Sequence, residues 1–244
     1  MDSHRVMRAL AWTGPVCIAI VMLGWAVLAG FLPPPDPAMT ADQVKALWLD
    51  DTTLRTIGML VAFWGSILLL PFSVAIGLAL ARDNRALAIT QFSLGAFGIV
   101  FFAANFLLLA TLGFDPERPA ETTKMIHDIG FIFTFAPVAP FTFQDFVIGL
   151  GILAVPRSVF PRWVGYVNLW VGVLFIPATI VPFFHHGPFA WNGLFAFWIP
   201  VGVFVVWFLT MSWAIRRIPA PTTVPGVPAT SPAPPGSAAV GGGL

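Results

Sequence analysis

The sequence predicts an all-α fold, a polytopic transmembrane bundle of six helices with both ends in the cytoplasm. Three observations predict it. The chain is 58% hydrophobic and only 9% charged, whereas a soluble domain carries roughly 25% charge. Too little polar surface exists to face water, so lipid must solvate much of the protein. Six stretches reach the ~20 apolar residues that a helix needs to cross the hydrocarbon, at about 9–32, 54–81, 87–112, 125–155, 163–184 and 189–214. The loops between them alternate in charge. One side carries Arg5, Arg8, Arg82, Arg85, Arg157, Arg162, Arg216 and Arg217, and the other Asp36, Asp42, Asp50, Asp51, Asp115, Glu117 and Glu121, then His185 and His186. Short cytoplasmic loops are enriched in Lys and Arg, so the arginine side is the cytoplasmic one.

The first span has a basic start and small residues near Ala29 and Gly30, the outline of a signal peptide. Its apolar run exceeds the 7–15 residues of a signal h-region, so it is read as a retained helix. The second and fourth spans are longer than a crossing requires and contain Pro71, and Pro137 with Pro140. Tilting or kinking accommodates such length. Ser73, Gly77 and Ala81 form a small-xxx-small packing row. Three further spans show small and polar residues at helical spacing, which marks faces turned to other helices. The third gives Gln91, Gly95, Gly98, Phe102 and Asn105. The fourth gives Asp128, Phe135, Val138, Thr142, Asp145 and Gly149. The fifth gives Gly165, Asn168, Gly172, Phe175, Thr179, Pro182 and His186. These three helices are expected to line a common interior. Gly187 is expected to stop the fifth helix and Pro188 to start the sixth.

The loop after the first span opens on Pro33, Pro34 and Pro35, a stiff exit from the membrane. Thr40 with Gln43 three residues on is a capping box, which predicts a short helix over 41–49. Val44, Leu47 and Trp48 share one face of it, as suits a helix lying on the outer membrane surface or closing the bundle as a lid. Residues 219–244 are Pro, Ala, Gly, Ser and Thr with little else. They are expected to form a disordered cytoplasmic tail.

Composition excludes several functions. No basic run suggests nucleic acid. Cys17 is the only cysteine, which rules out a disulfide framework and a cysteine-based metal site. His127, Asp128, His185 and His186 carry metal-ligating atoms, but adjacent histidines on a helix point about 100° apart. No H-x-x-x-H spacing is present, so neither metal nor haem nor any other cofactor is expected.

The candidate functional residues are polar groups at membrane depth. Asp145 is the one acid well inside a span, and an intramembrane carboxylate is a functional candidate by default. Exposing it to lipid would cost about 2.5–3.5 kcal/mol on insertion scales, so it should face inward, level with Gln91 and Asn168. Its partner is either a loop arginine, Arg157 or Arg162, or a hydrogen bond with Gln144 or Asn168. Asp145 and His127 are the candidates for proton transfer. Gln91, Asn105, Asp128, Asn168, His186, Trp191 and Asn192 are the candidates for ligand contact. Lys124 and Asp128 stand four apart as a surface pair.

The segment Phe160-Pro-Arg-Trp163, Gly165-Tyr166, Asn168 and Trp170, then Gly187-Pro-Phe-Ala-Trp-Asn-Gly193 and Phe197-Trp198-Ile-Pro200, resembles an uncharacterised family of bacterial multi-pass membrane proteins. So does Gly30-Phe-Leu-Pro-Pro-Pro35 followed by the capped helix. The resemblance reaches from the N-terminus to about residue 217 and implies a six-helix fold in a bacterial inner membrane. It implies no activity. Phe- and Trp-rich helices around a sparse polar interior suit a small lipophilic molecule, either bound or acted upon. A small transporter or proton-coupled permease, and an accessory subunit of a membrane complex, are the alternatives.

Overall fold

The computed structural model describes residues 3–220. The expected tail falls, from residue 221 onward, outside the described residues. Six helices are long and apolar enough to cross a membrane, Ser3–Leu28, Thr52–Leu80, Arg85–Gly113, Ala120–Ala154, Arg162–Phe183 and Leu194–Arg217. The protein has the architecture of an all-α, multi-pass membrane bundle.

Proline placement explains why most of these spans are segmented. The first comprises α1 (Ser3–Leu10), α2 (Thr13–Met22) and a π-helical turn (Leu23–Leu28). It starts earlier than its apolar run because α1 is amphipathic, with His4 and Met7 buried and Arg5 and Arg8 exposed. Pro15 cannot donate to the Ala11 carbonyl, and the chain bends there. After α3 (Ala41–Asp50), the second span comprises α4 (Thr52–Ile67) and α5 (Leu69–Leu80). Pro71 leaves the Ile67 carbonyl without a helical donor, and the joint falls at Leu68. The third span, α6 (Arg85–Ala110), is unbroken and starts on Asn84, whose side chain accepts from the Ala86 and Leu87 amides. The fourth is divided into α7 (Ala120–Phe135) and α8 (Ala139–Ala154). Pro137 and Pro140 withhold donors from the Phe133 and Ala136 carbonyls. The fifth runs as α9 (Arg162–Phe175) and then tightens into a 3-10 helix (Ile176–Phe183). The sixth opens as a π-helical turn (Leu194–Trp198) and continues as α10 (Ile199–Arg217).

Three local expectations need correction. Gly187 does not stop the fifth span, which ends at Phe183, and Pro188 does not start the sixth. The Gly193 amide bonds Ala190 O at 2.7 Å and the Phe195 amide bonds Pro188 O at 2.8 Å, so this stretch turns before the helix begins at Leu194. The polar stripe of the fifth span fails after Phe175. A 3-10 helix has three residues per turn, so burial steps through Phe175, Ala178 and Val181, while Thr179, Pro182 and His186 are exposed. The stripe of the fourth span loses its first member, because Asp128 lies one residue round the helix from buried His127 and is half-buried beside Lys124. The buried face of α7 carries Thr123, His127, Gly130, Phe131 and Phe135, and not Asp128.

Close backbone approach sets the packing. A Cβ on Gly24 would collide with the Gly58 carbonyl and the Ala62 amide, so the first two spans meet along a glycine seam. Gly149 and Gly165 make a second seam between the fourth and fifth spans. Such small-residue contacts drive helix association in lipid. Cys17 is buried in the first span at 1% exposure. His4 Nε2 donates to the Ile218 carbonyl at 2.9 Å, and Arg82 donates to Pro219 O at 3.0 Å. Both described ends therefore lie at one face of the bundle. At that face Asp83 accepts from the Ser158 hydroxyl and the Val159 amide, joining two loops.

Candidate functional site

The polar groups predicted to share an interior separate into three clusters. Gln91 sits where α5, α6 and α8 meet. Its amide donates to Ser73 O at 3.1 Å and its oxygen accepts from Gln144 Nε2, also at 3.1 Å. Gly95 leaves the space this cluster occupies, since a Cβ there would fall 2.6 Å from Gln144 Nε2. Gln144 is thereby turned toward Gln91.

Asn168 and Asp145 belong to the second cluster. Asn168 donates to Val164 O at 2.8 Å and accepts from the Trp207 indole at 2.9 Å. Asp145 faces inward, 2% exposed, and lies beside the same indole. Among the described residues no arginine pairs with it. Arg162 turns instead to the Leu153 carbonyl at 3.2 Å.

The third cluster lies at the opposite end of the bundle from the chain ends. The capping box forms as predicted, with the Thr40 amide on Gln43 Oε1 at 2.8 Å and the Gln43 amide on Thr40 Oγ1 at 3.3 Å. The helix it starts, α3, folds onto α7 as a lid. The Trp48 indole donates to His127 Nδ1 at 3.1 Å. That bond keeps the proton on His127 Nε2, which is buried and has no acceptor among the described residues. Phe131 packs on the His127 ring at 4.5 Å between centroids, and Trp191 lies at 6.2 Å. Trp191 also donates to Pro35 O at 2.7 Å, tying the loop before the sixth span to the loop after the first.

Arg55 holds the lid, a role the sequence reading missed. Its Nε donates to Leu47 O at 2.8 Å and its Nη1 to Ala29 O at 2.7 Å, and Asp50 stands 3.5 Å from Nη2. The available signal was an arginine just inside an apolar run, beside a capped loop helix. Gly30, at φ +71°, makes the turn that delivers Phe31 beneath Trp48.

The remaining candidates scatter. Asp128 pairs with Lys124 at 2.7 Å. Asn105 is buried with both amide atoms unpartnered. His186 is exposed and Asn192 is half-buried.

A cavity of about 100 Å³ lies elsewhere, and none of the predicted candidates lines it. Its wall is built where the spans are irregular. Trp25 comes from the π-helical turn of the first span and Pro137 from the break in the fourth. Ala178 comes from the 3-10 stretch of the fifth, and Pro200 from the π-to-α junction of the sixth. Unbroken α6 supplies Phe102 and Phe106. Phe133 also lines the cavity and is 43% exposed on the bundle's outer surface, so the space reaches the lipid-facing side. Two lining side chains carry a nitrogen or oxygen. The Thr134 hydroxyl is bonded to Gly130 O at 2.9 Å, and the Trp25 indole N–H is buried with no partner among the described residues. The site offers an apolar body. No family model, no curated protein and no solved structure matches the chain.

Proposed function

We propose that the protein binds one small, neutral, largely apolar molecule drawn from the bilayer into this cavity. The observation that carries the reading is the convergence of four helix irregularities on one space. Irregular backbone at membrane depth is tolerated where it is buried in protein or lines a cavity, and π-helical insertions are frequent at functional sites. Engineered apolar cavities of roughly 150 Å³ hold benzene; at about 100 Å³ this space is smaller and suits a short acyl segment. Asp145 and His127 are engaged away from the cavity, which favours binding over proton-transfer chemistry.

The setting we propose is a bacterial inner membrane with both described ends cytoplasmic. The face of the chain ends carries Arg5, Arg8, Arg82, Arg85, Arg157, Arg162, Arg216 and Arg217, eight of the twelve Lys and Arg in the chain, which supports that orientation. The lid then closes the outer end.

The test is native mass spectrometry of protein purified in mild detergent, wild type beside Ala178→Phe. The larger side chain fills the cavity. A small-molecule adduct present on wild type and absent from the variant is the expected result; an adduct retained equally on both places the ligand elsewhere. A second reading, a small permease, is favoured by the broken fourth helix at the cavity, because discontinuous helices form transport sites. Ligand flux across proteoliposomes, abolished by Ala178→Phe, would select it.

A further inference from the structure

A second site lies at the face of the chain ends. There the first and sixth spans flank a groove walled by Arg8, Trp12, Trp213, Arg216 and Arg217. The bend ahead of Pro15 places Trp12 at the surface, 53% exposed. The Arg216 guanidinium lies over its ring at 4.1 Å from the centroid, and Arg217 lies over Trp213 at 5.0 Å. Indole faces attract guanidinium groups and fix their planes. Arg216 Nε is buried and has no hydrogen-bond partner among the described residues. Among the described residues the ion pairs are Arg55 with Asp50 and Lys124 with Asp128, so no carboxylate pairs with the three arginines of the groove.

Arginines in a last helical turn complement the helix dipole. That accounts for Arg216 and Arg217 as charges. It accounts neither for Arg8 joining them from another helix nor for the unused Nε. Three cations around one groove, with no carboxylate partner among the described residues, form a site for an anion. Guanidinium groups match phosphate oxygens bidentately, and exposed Trp rings sit at the headgroup level of a bilayer. We propose that this groove binds an anionic phospholipid, its phosphodiester seated among Arg8, Arg216 and Arg217 and its acyl chains running past Trp12 and Trp213. Basic pockets between transmembrane helices bind anionic headgroups in this way. The site is independent of the apolar cavity.

Full-length protein in neutral detergent is titrated with phosphatidylglycerol, with phosphatidylcholine, and with inorganic phosphate, and bound adducts are read by native mass spectrometry. The expected result is at least a fivefold preference for phosphatidylglycerol over phosphatidylcholine. That preference falls below twofold in R8Q/R216Q and survives in Arg157→Gln, which changes an exposed arginine outside the groove. Arg216→Lys keeps the charge and loses the fork, and gives an intermediate preference if the double variant misfolds. A preference that Arg216→Lys or R8Q/R216Q leaves intact, or that Arg157→Gln reduces equally, overturns the proposal in favour of diffuse surface charge. Inorganic phosphate that binds as tightly as the lipid and displaces it overturns the lipid assignment.

Discussion

Arg55 reaches two carbonyls that belong to different segments, Ala29 at the end of the first span and Leu47 in the lid. A lysine cannot donate to both from one ammonium in the geometry of a fork. Arg55→Lys should therefore cost about 1.5–3 kcal/mol, the usual worth of a hydrogen bond to a charged group, read as a lowered thermal midpoint in detergent. His127 belongs to the same assembly through Trp48. Trp48→Phe keeps a ring and removes the donor, leaving a buried acceptor unsatisfied at about 1–3 kcal/mol. His127→Phe made in that background should cost less than in wild type, and additive losses in the double-mutant cycle would show that the two do not act as a pair. Asp145 has no cation to lose. Asp145→Asn preserves volume and an oxygen for Trp207, so stability should stay within about 1 kcal/mol and ligand retention should be unchanged. Loss of the ligand adduct in that variant would return Asp145 to the chemistry. Sequence reading found Asp145 and His127 because polar atoms stand out in an apolar run. It put Phe102, Phe135, Val138 and Phe175 on inward faces, and all four line the cavity, but it named no site there because Pro137 and Ala178 read the same whether they face lipid, protein or empty space.

Helices that keep one period along their length were legible; helices that change period were not. The short capped helix is the clear success. Its capping box and the spacing of Val44, Leu47 and Trp48 are local signals; Val44 and Trp48 are buried and Leu47 is half-buried, whereas the choice between a surface helix and a lid was not legible. Gln91, Gly95, Gly98 and Asn105 on unbroken α6 are likewise all buried. The fifth span shows the limit, since a face laid out at 3.6 residues per turn cannot survive the change to three after Phe175. Pro71, Pro137 and Pro140 signalled breaks, but the phase on the far side of a break depends on tertiary contacts. The break in the fourth span also makes a prediction. Pro137→Ala restores a donor for the Phe133 carbonyl, which lets α7 extend toward α8 and narrows the cavity. The thermal midpoint should hold or rise while adduct retention drops. An unchanged adduct would mean that the break does not shape the binding space.

Across the whole molecule, two kinds of tie set the ends apart. The face of the chain ends is joined by His4 to Ile218, Arg82 to Pro219 and Asp83 to the loop at Ser158. The opposite face is joined by Trp191 to Pro35 and by Trp48 to His127. Reporter fusions after Asp50, Arg85, Glu121, Arg162 and Gly187 should read out, in, out, in, out, and one fusion with the opposite sign would break the six-span topology. Between the two faces the first span is held by its glycine seam, and Cys17 lies shut within the bundle. The only thiol of the chain is thus a built-in clock. A maleimide can reach it only during excursions in which the first span parts from its neighbours, so the alkylation rate of the unaltered protein in its membrane measures how often the bundle breathes.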